Sequence, residues 1–107
     1  KSMAERTIDI NIMLIIQKYI KEISEHYDIK EVYLFGSYAK GTYDNDSDID
    51  IAIVLDSDVD TIDLMVDLMM LTRNIDLRIE PHPIKQQDFE QGNPFVEEIK
   101  NTGLKVA

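Results

Sequence analysis

The segment 48–55, DIDIAIVL, constrains the fold most. Its side chains alternate as a β-strand requires. Asp48 and Asp50 fall on one face, and Ile49, Ile51, Ile53 and Leu55 on the other. The rest of the chain arranges itself around that strand. Residues 7–27 predict a first helix, because Ile8, Ile12, Ile16, Tyr19, Ile23 and Tyr27 recur at helical spacing. Glu31 to Phe35 is a short apolar and aromatic run closed by Gly36, and reads as another strand. Residues 59–72 predict a second helix, with Asp58 or Asp60 as N-cap. Residues 75–80, IDLRIE, alternate strictly and predict a third strand, with Ile75, Leu77 and Ile79 inward and Asp76, Arg78 and Glu80 outward. Pro81 and Pro83 are expected to end it. Gln86 to Gln91 suggests a short helix, Pro94 opens a last helix to about Lys100, and Leu104 to Val106 adds a small edge strand. This order predicts an α/β fold: a small mixed sheet with helices packed on one side.

A chain of 107 residues suits a single domain over 1–107, and 44% apolar content is enough for a core despite 30% charged residues. Lys1 and Ser2 before Met3 read as a tag remnant. No apolar run approaches the roughly 20 residues that cross a bilayer, and no leader pattern is visible, so no membrane association is expected. The absence of cysteine excludes disulfides and thiolate chemistry and makes a reducing cytoplasm the expected compartment. A formal net charge of −10 argues against a long nucleic-acid partner, whose phosphates demand Lys and Arg. A nucleotide already neutralised by metal is compatible with it.

The stretch that carries chemistry runs from Gly36 to Leu55. Gly-Ser directly follows a strand, ten residues intervene, and Asp-x-Asp then opens the next strand. Gly36 permits close backbone approach to a ligand. Ser37 offers a hydroxyl and an N–H at an expected helix start, where phosphate oxygens are favoured. Asp48 and Asp50 project together and repel each other unless a cation lies between them. Mg²⁺ is the natural choice, since it takes one or two carboxylates and completes its shell with phosphate and water. Two rival motifs fail. A P-loop needs Lys and then Ser or Thr after Gly41, where Thr42 and Tyr43 stand. An EF-hand loop starting at Asp44 needs Gly and Glu where Ile49 and Leu55 stand, and one starting at Asp46 meets Ile51 and Ser57 there.

The Gly-Ser, the ten-residue gap, Asp48-x-Asp50 and the apolar strand around them resemble the signature of the nucleotidyltransferase superfamily. The short length and the run through Asp76 are similar to its minimal members, which often pair with a HEPN-domain protein, in some cases as antitoxin and toxin. The resemblance implies an α/β fold with a mixed sheet and a third carboxylate from a later strand. Asp76 is its best match, with Glu80 as fallback on the same predicted face. It also implies two-metal transfer of a nucleoside monophosphate, AMP first, from ATP or another NTP. Asp48, Asp50 and Asp76 would ligate two Mg²⁺ ions and carry the catalysis, Gly36 and Ser37 would grip the β- and γ-phosphates, and Lys40 would add a positive contact.

For Lys40 and Ser47 the plain readings, a surface lysine and a turn serine, are preferred. His82, between two prolines, reads as a loop residue and His26 ends a helix; no zinc site is expected. The segment 59–72 has more apolar residues than one stripe needs, which predicts a face for a protein partner or a second copy, with some of Leu64, Leu68 and Leu71 exposed. The leading expectation is therefore an NMP transferase acting on a hydroxyl of a partner protein, such as a HEPN-type toxin. Transfer to a small molecule of the aminoglycoside kind is a second reading, although family members of that type carry a further domain. A non-catalytic antitoxin acting by contact is a third, and three converging carboxylates speak against it.

Overall fold

The computed structural model describes residues 8–107. The expected helix start at residue 7 and the expected tag remnant Lys1-Ser2 lie outside the described residues. Helix α1 spans Ile10–Ser24, β1 Asp28–Phe35, the single-turn α2 Ser37–Lys40, β2 Ile49–Asp56 and α3 Thr61–Leu71. Strand β3 spans Ile79–Lys85, α4 Gln86–Gln91, α5 Pro94–Thr102 and β4 Leu104–Lys105. The sheet is mixed, as expected, with strand order β3-β2-β1-β4. Strand β1 pairs antiparallel with β2 and β4, and β2 pairs parallel with β3 across the α3 crossover.

Both long helices begin at aspartate caps. Asp9 accepts from Asn11 N–H at 2.8 Å and Ile12 N–H at 3.3 Å, and Asp60 accepts from Ile62 N–H at 3.0 Å. The apolar stripe of α1, Ile12, Ile16, Tyr19 and Ile23, then packs with Leu64 and Leu68 of α3 on the sheet face made by Ile49, Ile51, Ile53 and Leu55. The buried Tyr19 hydroxyl satisfies itself by donating to the Leu68 carbonyl at 2.8 Å, which fixes α1 against α3.

The expected packing on one side holds for α1 and α3. The short α4 and α5 cover part of the opposite face, where Phe89, Val96 and Ile99 meet Ala52, Val54 and Ile84. Ala52 and Val54 explain why. They sit at the positions that an amphipathic strand gives to water, yet both are buried, so this face needs a cover of its own.

The predicted strand 75–80 is overturned. Residues 72–78 form turns, and the strand begins at Ile79 and continues through both prolines. Leu77, expected inward, is 79% exposed. Strand β3 lies at the sheet edge, where proline is tolerated because its missing N–H can face away from the ladder. The alternation of IDLRIE arises instead from a turn in which Asp76 accepts from Arg78 N–H at 2.8 Å. The expectation for α3 also needs correction. Leu64 and Leu68 are fully buried and Leu71 partly so, whereas Ile62, Val66, Met69 and Met70 are exposed.

Candidate functional site

The strand register builds one polar cluster. Asp50 on β2 stands beside Phe35 on β1 and Glu80 on β3, and one step along, Ala52 stands beside Tyr33 and His82. Alternation puts Asp50, Glu80 and His82 on the sheet face that carries Ala52, Val54 and Ile84, where Phe95 of α5 reaches the His82 ring. One ligand atom from each of Asp50, Glu80 and His82 lies within 4.8 Å of the others. His82 Nε2 is 3.4 Å from Asp50 Oδ1 and 3.9 Å from Glu80 Oε1.

Asp48 joins from the start of β2. The Glu80 carboxyl is held above the usual carboxylate range, first by its hydrogen bond to Asp48, then by desolvation and by the negative charges of Asp48 and Asp50. Two residues of the predicted set, Asp48 and Asp50, therefore share one electrostatic neighbourhood with Glu80. A group of carboxylates that raises the proton affinity of its own member has a deficit of positive charge, which a proton or a divalent cation would offset.

Gly36 packs directly on this cluster. It has φ +73°, and a Cβ there would stand 2.3 Å from Asp50 Oδ2. Its missing side chain makes room for the Asp50 carboxylate as well as for the left-handed turn that starts α2. Ser37 follows as the first residue of α2. Lys40 ends that turn, with its ammonium 3.9 Å from Glu98 on α5, both side chains being more than half exposed. Ser47 is the expected turn residue: its hydroxyl accepts from Asp44 N–H at 2.9 Å.

Asp76 is placed differently. Its carboxylate accepts from Arg78 Nε at 3.0 Å and Nη2 at 2.9 Å, as well as from the Arg78 N–H. The guanidinium holds its carboxyl below the usual range, against partial desolvation. Arg78 also reaches the hydroxyl of Tyr38, which belongs to the core on the α1 and α3 side of the sheet. The structure thus brings Asp48, Asp50 and Glu80 together and engages Asp76 with Arg78.

His82 was missed by reading the sequence. Flanking prolines suggest a loop, whereas the edge strand carries His82 inward, its ring 4.9 Å from that of Phe35 and 6.0 Å from that of Phe95. The available signal was the alternation Glu80, His82, Ile84 across the prolines.

The nucleotidyltransferase domain family matches residues 16–105. The chain belongs to this family. Among curated relatives, "Putative protein adenylyltransferase MJ0141" of Methanocaldococcus jannaschii is 30% identical over 101 residues, 91% of this chain and 100% of the relative. MJ0604 of the same organism, which carries the same description, is 45% identical over 58 residues, 51% of this chain and 58% of that protein. MJ1215 is 46% identical over 39 residues, 36% of this chain and 45% of that protein, so the chain spans about half the length of these two relatives. Solved structures of similar fold include a "putative nucleotidyltransferase from Sulfolobus solfataricus", with TM-score 0.65 and 22% identity over 90% of this chain and 79% of that one. A toxin–antitoxin complex with AMP-PNP gives TM-score 0.64 and 23% identity over 89% and 72% of the chains. The toxin–antitoxin pair MntA–HepT gives TM-score 0.60 and 21% identity over 88% and 70%. The nucleotidyltransferase match spans both the Gly-Ser turn and the strand pair that carries Asp50 and Glu80.

Proposed function

We propose that the chain transfers AMP from ATP to a hydroxyl of a partner protein, with Asp48, Asp50 and Glu80 holding the divalent cations on which the reaction depends. The observation that carries this reading is the meeting of Glu80 with Asp48 and Asp50 at the Gly36 turn. The residues fit Mg²⁺, a hard ion that takes carboxylates and leaves coordination positions to phosphate and water. Bound there, the cation would neutralise phosphate charge and acidify the attacking hydroxyl.

The chain's own residues have separate tasks. Gly36 leaves the Asp50 carboxylate free to lie against the turn. The start of α2 at Ser37 offers its hydroxyl and N–H to phosphate oxygens. Glu80, whose proton affinity Asp48 and Asp50 raise, would be a carboxylate ligand beside Asp50. The acceptor oxygen forms a bond to the α-phosphorus, the bond from that phosphorus to the bridging oxygen breaks, and pyrophosphate leaves with the electron pair. The acceptor proton passes to a carboxylate or to water. Positioning and charge stabilisation, rather than covalent chemistry, supply the rate.

The exposed row Ile62, Val66, Met69 and Met70 on α3 supports a protein partner, because interface centres are rich in apolar and Met side chains. The names of the curated relatives and the toxin–antitoxin neighbours suggest adenylylation of a toxin of the HEPN kind. The same face fits a second reading, an antitoxin acting by contact alone. Co-expression with the product of the neighbouring reading frame, followed by mass spectrometry of that product, separates the two. Transfer predicts a gain of one or more AMP units that Asp50→Asn abolishes while the complex persists. An unmodified partner, neutralised equally by wild type and Asp50→Asn, would favour contact alone.

A further inference from the structure

The imidazole of His82 has an unusual setting. Its Nε2 is fully buried and makes no hydrogen bond among the described residues. A buried polar atom without a partner is costly to keep, so its persistence calls for an explanation. The ring is held by Phe35 and Phe95, which give it apolar contact and no polar one. That packing aims Nε2 between Asp50 Oδ1 at 3.4 Å and Glu80 Oε1 at 3.9 Å.

We infer that His82 Nε2 is a direct ligand of the cation held by Asp50 and Glu80, and that it gives this site a preference for a transition ion such as Mn²⁺ over Mg²⁺. The inference rests on the proposed role of these carboxylates. Distance is the first argument. Ligand atoms each about 2.1 Å from one ion can stand at most about 4.2 Å apart, and both His82 separations fall inside that span. Chemistry is the second. Carboxylates suit Mg²⁺ and Mn²⁺ alike, whereas an imidazole nitrogen adds affinity for first-row transition ions, least for Mn²⁺ among them, and little for hard Mg²⁺. Ligation needs the Nε2 lone pair, hence the tautomer with its proton on Nδ1. A hydrogen bond from Nε2 to Asp50 would need the opposite tautomer, and no such bond forms.

The test uses Mn²⁺ as the probe, without nucleotide. Electron spin-echo spectroscopy of the Mn²⁺-loaded protein should show modulation from a directly bound ¹⁴N. The variant His82→Phe, whose ring can occupy the space against Phe35 and Phe95, should lose it. Its Mn²⁺ affinity should fall about tenfold or more, with Mg²⁺ affinity changing much less. His82→Asn serves as a second variant, and circular dichroism checks the fold of both. Wild type that binds Mn²⁺ without ¹⁴N modulation, or His82→Phe that keeps both the modulation and the Mn²⁺ preference, overturns the inference while leaving the carboxylate site standing. Asp50→Asn should lose Mn²⁺ and Mg²⁺ alike. If wild type binds neither ion, the carboxylate reading falls and this inference falls with it.

Discussion

At the scale of single residues, Gly36 does more than supply a turn. Its φ of +73° disfavours any L side chain, and a Cβ would enter the space of the Asp50 carboxylate. Gly36→Ala should therefore act through Asp50. We expect cation affinity to fall about tenfold or more, with a stability loss of about 1–3 kcal/mol from the strained backbone. Calorimetric titration with Mn²⁺ and a urea denaturation curve measure the two effects. The Gly-Ser and Asp-x-Asp spacing marked both residues as candidates but gave Gly36 a role toward a ligand; its contact with Asp50 follows from the pairing of Phe35 with Asp50, which the spacing did not reveal. The third carboxylate that we propose, Glu80, was harder to read. Asp76 and Glu80 share the same parity, so alternation alone placed them on one face. Arg78 distinguishes them, because an arginine two residues on can close a local fork onto Asp76. Pairing across β2 to β3 then leaves Glu80 opposite Asp50.

At the scale of elements, α3 shows what composition reveals and what it hides. Its apolar excess marked a second face, but a one-dimensional sequence did not show which residues the core claims. Leu64 and Leu68 lie one turn apart and take the inner stripe, leaving Ile62, Val66, Met69 and Met70 outside. Leu68→Ala should cost about 2–5 kcal/mol in chemical denaturation, since it empties a fully buried position beneath the Tyr19 hydrogen bond. Val66→Ser should cost less than about 0.5 kcal/mol and should weaken co-purification with the partner. An equal loss of stability for both would contradict this division of the helix. Strand β3 was legible only in part, because its prolines read as terminators. An edge position reverses their meaning, and edge or centre is a property of the sheet rather than of the local sequence.

At the scale of the whole molecule, a net charge of −10 sits on a chain whose candidate site is itself acidic. That combination opposes free ATP and favours ATP that arrives with its cation. Among the described residues no helix is long and apolar enough to cross a membrane. The mixed sheet explains why three carboxylates can meet at all. The antiparallel hairpin returns Asp50 to Phe35 and the Gly36 turn, and the parallel crossover through α3 lays Glu80 beside it. The most direct measurement is calorimetric titration of ATP, in Mg²⁺ and in EDTA, into wild type, Glu80→Gln and Asp76→Asn. Wild type should bind at least about tenfold more tightly with Mg²⁺, a difference of roughly 1.4 kcal/mol. Glu80→Gln should lose that difference, and Asp76→Asn, provided circular dichroism shows it folded, should keep it. Equal affinity in EDTA and Mg²⁺ for wild type, or loss of the difference in folded Asp76→Asn with Glu80→Gln unaffected, would contradict the assignment of Asp48, Asp50 and Glu80 as the cation site.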